Sequence, residues 1–243
     1  MLEVRGLSKR FGGLRAVQGV DLDVPAGSIT ALIGPNGAGK TTSFAMIAGF
    51  IRPDAGSVRF AGQDITGWAP PRIARLGMVR TFQITQPFAG LTVAENIRVG
   101  AFLRTPGPAN AMAQARAVGT RLGLGPMLDR PAAALTVAGR KRLEVARALA
   151  TGPRLLLLDE VMAGLNPIEV GEIVALVQGV VAGGVTVLLI EHVMQAVAAL
   201  ADRAYVLAEG ALIAAGTPRQ VAQDPRVIEA YLGQGASRVL SGA

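Results

Sequence analysis

No cysteine occurs anywhere in the 243 residues, so neither a disulfide framework nor a thiolate metal site is available. That absence fits a reducing compartment. Lysine is nearly missing as well: Lys9, Lys40 and Lys141 stand alone, and arginine supplies the other positive charges behind a formal net charge of +7. The arginines are scattered from Arg5 to Arg238 with no block of five or six like charges. Such a balance has two readings, a polyanion partner or a compositional bias. The scatter favours bias, because nucleic-acid binders gather charge into a patch or stripe, and no nucleic-acid partner is expected. An uninterrupted apolar span is also lacking. Residues 173–190 carry no charge, but Gln178, Gly179 and the Gly183-Gly184 pair break them. They read as a buried helix to about Val181, a glycine turn and a buried strand over 185–190, not as a membrane span. Residues 1–10 mix charged and apolar side chains and lack the apolar stretch of a signal peptide. No internal repeat is visible.

What is present is an alternation of strand-like and helix-like segments. The first thirty residues alternate in the strand manner, with turns at Gly12-Gly13 and over 25–27, and predict a small antiparallel region. The apolar run 29–33 predicts a buried parallel strand, followed by a helix over 39–49 and a second β section over 56–63. From Pro70 to Leu149 the pattern turns helical, with helices expected over 111–122 and 141–150. Four consecutive leucines at 155–158 predict a central strand. A helix over 168–181, a strand over 185–190, a helix over 193–201 and two short strands around Glu209-Gly210 complete the series. This alternation implies an α/β fold: a mainly parallel sheet flanked by helices, with ligands at the carboxyl ends of its strands. The expected division is a domain over 1–233 and a polar tail over 234–243. Within the domain, an antiparallel β subdomain occupies about 1–30 and 56–68, and a helical subdomain about 84–150.

The candidate chemistry falls at those strand ends. Gly34, Pro35, Asn36, Gly37, Ala38, Gly39, Lys40, Thr41 and Thr42 match GxxxxGK[ST] between a predicted strand and a predicted helix, which is the context the motif requires. A triphosphate needs several donors wrapped around it. The glycines turn backbone N–H groups inward, and the helix N-terminus adds positive potential. Lys40 reaches the β- and γ-phosphates, and the Thr41 hydroxyl ligates Mg²⁺. The leucine strand delivers Asp159 and Glu160 at its end. Asp159 suits a hard cation that keeps waters around itself, and Glu160 suits activation of the attacking water. The single histidine, His192, follows the 185–190 strand at the same sheet edge, in position to contact a γ-phosphate. ATP and Mg²⁺ are the expected ligands.

In this order the motifs resemble the ATP-binding cassette (ABC) family, over about residues 2–233. The resemblance implies the P-loop NTPase fold of that family. It also implies that Phe11 stacks on adenine, that Gln83 contacts Mg²⁺ and senses a transport partner, and that His192 is the switch histidine. Residues 163–166 match the family's D-loop, with Asn166 where many members carry Asp. The signature segment departs from the usual LSGGQ: Leu135 is followed by Thr136, Val137, Ala138 and Gly139. Thr136 keeps a hydroxyl for the γ-phosphate, while Val137 and Ala138 replace two glycines, and a methyl at 138 is expected to crowd the approach to the partner's nucleotide. A finer resemblance, through residues 81–88, 163–167, 190–192 and 227–233, is to the longer of the two ATPases of branched-chain (hydrophobic) amino acid uptake systems, with a shorter stretch after Gln83. It implies transmembrane permease subunits, a second ABC ATPase subunit in a homo- or heterodimer, an indirect link to a solute-binding protein, and a peripheral place on the cytoplasmic face of the membrane. The alternatives are another transport substrate such as urea or amides, export, a soluble ABC ATPase acting on DNA or ribosomes, and a non-hydrolysing regulator.

Overall fold

The computed structural model describes residues 1–81 and 87–232. Gln83 and the 234–243 tail lie outside these residues. The chain opens with a hairpin, β1 (Leu2–Phe11) and β2 (Leu14–Val24), turning at Gly12-Gly13. Then come β3 (Ile29–Ile33), α1 (Lys40–Ile47), β4 (Ala55–Phe60), β5 (Gln63–Asp64), α2 (Pro70–Leu76) and β6 (Met78–Arg80). A helical stretch follows: α3 (Val93–Ala101), α4 (Pro108–Arg121) and α5 (Val137–Ala150). The second half holds β7 (Leu155–Asp159), α6 (Pro167–Ala182), β8 (Thr186–Ile190), α7 (Met194–Leu200), β9 (Arg203–Ala208), β10 (Ala211–Gly216), α8 (Pro218–Ala222) and α9 (Pro225–Leu232).

Two sheets form. One is antiparallel, in the order β2-β1-β4-β5; the other runs β10-β9-β3-β8-β7-β6. In the second, every pair is parallel except β9 with β10. The parallel strands are apolar on both faces because both faces are covered. In β7, Leu155 and Leu157 join the core shared with the antiparallel sheet and α1, whereas Leu156 and Leu158 join the core shared with the helices. Leu188 and Ile190 of β8 and Tyr205 and Leu207 of β9 follow the first pair; Val187, Leu189, Ala204 and Val206 follow the second. Phe44 of α1 is fully buried between the two sheets. Period-two alternation therefore sorts one apolar strand into two cores.

The structure corrects several expectations. The stretch after Pro70 is not purely helical: β6, only three residues long, forms the edge of the parallel sheet beside β7. Helix α5 begins at Val137 rather than 141, because Thr136 caps it by accepting the Gly139 N–H. Helix α6 is buried on one stripe only, at Ile173, Val177 and Val180. Its apolar composition exceeds what the core takes. Helices α8 and α9 carried no expectation, although Thr217 and Gln220 form a capping box at the start of α8.

Candidate active site

Register brings the candidate residues to one sheet edge. Leu32 of β3 pairs with Ile190 of β8, and Ile190 pairs with Asp159 of β7. The loop after β3, the acids after β7 and the residues after β8 thus leave the sheet side by side. A cavity of about 760 Å³ lies there, lined by Asn36, Gly37, Ala38, Gly39, Lys40, Thr41 and Thr42, by Glu160, and by Phe11, Leu14, Arg15, Ala16, Gln18 and Glu209.

The loop is fixed by its neighbours. Gly34 has φ +147°, and a β-carbon there would sit 2.0 Å from the Leu207 carbonyl oxygen. At Gly39, φ +99°, a β-carbon would sit 2.4 Å from the Ala16 oxygen. Close approach of β9 and β2 therefore demands glycine at both positions, beyond the need for inward N–H groups. The β9–β10 turn is pinned on the other side: Gly210 N–H donates to the Ala38 carbonyl at 3.1 Å, and Gln18 N–H donates to the Gly210 carbonyl at 2.7 Å. Lys40 is buried, with Nζ donating to the carbonyls of Gly34 and Pro35 at 2.7 and 2.9 Å. Burial pushes its ammonium below the ordinary lysine range, against the pull of Glu160 and Asp159.

Asp159 is fully buried. Its Oδ2 accepts from Arg80 at 2.6 Å, while its Oδ1 has no hydrogen-bond partner among the described residues. A buried, unmatched carboxylate oxygen beside a phosphate loop fits a hard cation or its water shell. No group of three or more His, Cys, Asp or Glu able to hold a metal occurs among the described residues. The donor set thus suits Mg²⁺ carried largely by a nucleotide, not a cage built from protein. Thr41 is exposed on the cavity wall, and His192 is exposed just beyond β8.

Phe11 is 46% exposed at the far end of the cavity, with the Lys9 ammonium 5.6 Å from its ring centre. Sequence reasoning missed its neighbours Leu14, Arg15 and Gln18, and it missed Glu209, whose carbonyl accepts from Gln18 Nε2 at 2.8 Å; their place in the Phe11 hairpin and in the Glu209-Gly210 turn was the available signal. It also missed Arg80, whose partner is 79 positions away. In the signature segment the structure reverses one expectation. Ala138 is buried, so its methyl faces the interior, and Val137, 48% exposed, presents the side chain at the surface. The Thr136 hydroxyl is engaged as the cap acceptor of α5. Asn166 caps α6 by accepting from the N–H groups of Ile168 and Glu169.

A glycine loop between a buried strand and a helix, with acids at the end of the parallel strand next but one in the sheet, defines a phosphate-loop nucleotide-binding cassette. Comparison with known proteins narrows the class. The ABC transporter family matches residues 17–163, and the branched-chain amino acid ATP-binding cassette transporter family matches residues 211–237. The chain is 42% identical, over 96% of its length and 98% of theirs, to the high-affinity branched-chain amino acid transport ATP-binding proteins BraF of Pseudomonas aeruginosa and LivG of Escherichia coli K12. Among solved structures, an ATP-binding cassette of an ABC transporter in its ADP conformation superposes with a TM-score of 0.88 at 35% identity, covering 96% of this chain and 99% of that one. The chain belongs to the ABC transporter ATP-binding family. It is an ATPase, and its place is as a subunit of a transporter complex.

Proposed function

We propose that this ATPase powers a membrane importer for branched-chain or other hydrophobic amino acids. The chemical half of the reading is carried by one observation: a single cavity joins the loop around Lys40 to Glu160 and to Phe11. The substrate half is supported by the 211–237 match and by the transport named for the relatives.

In this reading Phe11 takes the base by stacking, and backbone N–H groups of the loop that follows Pro35, with Lys40, take the β- and γ-phosphates. Thr41, Asp159 and Gln83 would hold Mg²⁺, which would supply charge neutralisation at the phosphates. Glu160 accepts a proton as the water oxygen attacks the γ-phosphorus and the bond to the ADP oxygen breaks. His192 donates a hydrogen bond to the γ-phosphate. Thr136, Val137, Ala138 and Gly139 serve the nucleotide of a second cassette through backbone N–H groups at the start of α5, so that each site is complete only when two cassettes close. The signature surface differs from a glycine pair only by the exposed Val137 side chain, and since the Gly139 N–H serves the Thr136 cap, the N–H groups of Val137 and Ala138 carry the donation.

Among the described residues no helix is long and apolar enough to cross a membrane. Association with a permease at the cytoplasmic face is therefore proposed through a surface. A cleft of about 190 Å³ is lined by Val79, Arg80, Thr81, Gly100, Glu144, Arg147 and the exposed Val99. Phe88, 46% exposed, has the Arg147 guanidinium 4.7 Å from its ring centre. Such an apolar rim with charged groups suits a short membrane-protein helix. The test is Glu160→Gln in the purified protein and in the host. ATP binding persists, turnover falls to background, ATP-dependent dimers accumulate, and cellular uptake of labelled leucine, isoleucine and valine stops. Turnover at the wild-type rate removes Glu160 from the mechanism; unaffected uptake removes the substrate assignment.

A further inference from the structure

Glu160 has φ +48°, in the left-handed region that a residue with a β-carbon seldom occupies. Such a conformation persists where the surroundings over-determine it. Here they do. The Glu160 N–H donates to the Ile190 carbonyl at 3.0 Å. The Glu160 carbonyl accepts from the Ala163 N–H at 3.2 Å and from the Lys141 ammonium at 3.0 Å. Two residues on, the Met162 N–H donates to Glu191 Oε1 at 2.9 Å.

Both side chains in this arrangement are unusual for where they sit. Lys141, on α5, is 7% exposed, and Glu191, just after β8, is not exposed at all. The second oxygen of Glu191 has no hydrogen-bond partner among the described residues, while the first accepts from the main chain of the 160–163 turn. Burying such groups is costly, and neither residue is among those lining the nucleotide cavity. The two come from opposite sides. Glu191 reaches from the strand end that carries His192, and Lys141 reaches from the helix whose N-terminus is the signature segment.

We propose that Lys141 and Glu191 are positioning residues that clamp the 160–163 turn, holding the Glu160 carboxylate in its working direction and tying it to the signature helix of the same subunit. The inference rests on the reading of Glu160 as the water-activating group. A displacement of α5 on closure of two cassettes is transmitted through the Lys141 bond to the carbonyl of the residue that acts on water. The turn is thereby linked both to the site it serves and to the segment that serves the opposite site. Burial raises the Glu191 carboxyl above the ordinary range, which agrees with an amide of the same shape doing the same work, since the Met162 N–H needs only an acceptor oxygen.

The experiment compares Lys141→Met, Glu191→Ala, Glu191→Gln and Glu160→Gln in the full chain, measuring steady-state ATP turnover, the dissociation constant for ATP and the melting temperature. Lys141→Met and Glu191→Ala are expected to lower kcat roughly tenfold to a hundredfold, as misplacement of a catalytic group does, with ATP affinity within about twofold of wild type. Glu191→Gln is expected to retain most of the rate. The clamp is overturned if Lys141→Met and Glu191→Ala turn over like wild type, if their kcat and ATP affinity fall together with the melting temperature, or if Glu191→Gln fails as Glu191→Ala does. In the first case an inactive Glu160→Gln leaves the proposed chemistry standing while the clamp falls. An active Glu160→Gln removes both.

Discussion

The two ends of the nucleotide cavity are built differently. At the phosphate end Lys40 and Asp159 are buried, glycines sit where neighbouring strands leave no room for a β-carbon, and the turn at Glu160 is held by hydrogen bonds from two elements. At the base end Phe11, Leu14, Arg15 and Gln18 stand exposed on a hairpin. The phosphate end is made of backbone, with Lys40 and Asp159 locked in the core beside it. The base end is made of side chains on a surface. Changes to the packed glycines of the first should damage folding and binding together, whereas changes at the second should touch affinity alone.

The sharpest way to break that contrast is Gly34→Ala. A methyl 2.0 Å from the Leu207 carbonyl forces β9 or the loop to move, costing about 1–3 kcal/mol or more of stability, with ATP binding lost. Denaturant unfolding and calorimetric titration check it; a stable variant with normal binding would remove the distinction between the two ends. Phe11→Ala should sit at the other extreme. Loss of one aromatic contact is worth about 0.5–1.5 kcal/mol, a twofold to tenfold weakening of ATP. Stability should stay within about 0.5 kcal/mol, as for other surface substitutions, and Phe11→Tyr should restore affinity.

The contrast also says what was readable beforehand. Strands β3, β7 and β8 and the loop between β3 and α1 were legible because their signals are local: apolar runs, glycines at fixed offsets, acids directly after four leucines. Strand β6 was not, since three residues carry no period and its strand character comes from pairing with β7. The start of α5 and the existence of α8 were written in Thr136 and in the Thr217–Gln220 box, cues that apolar periodicity passes over. What no local pattern reveals is the support of the site. Lys141 lies 19 positions from Glu160, Glu191 lies 29 from Met162, and Arg80 lies 79 from Asp159. These contacts exist only after the sheet has set its register.

The smallest expected effect is a pH slope that belongs to the phosphate end. Desolvation raises the Glu191 carboxyl, opposed by the Met162 N–H and His192 and assisted by Glu160. Its folded value lies above its unfolded one, so as pH rises the unfolded chain loses the proton first and the native state holds more protons. The stability it contributes is then complete below the ordinary carboxylate range and is lost as pH rises through the raised value. Chemical unfolding measured across that window should show this decline in the wild type and a flatter profile in Glu191→Gln. Equal slopes would mean that the carboxyl is not neutral when buried.

The central claim is that backbone amides and one buried ammonium capture the nucleotide's phosphates. Calorimetric titration of Mg·ATP into the wild type and into Lys40→Met tests it directly. Saturable binding by the wild type, weakened roughly 10–100-fold in the folded variant as expected for loss of charged hydrogen bonds, is the predicted result. Equal affinities in the two proteins, or no binding by the wild type, would contradict it.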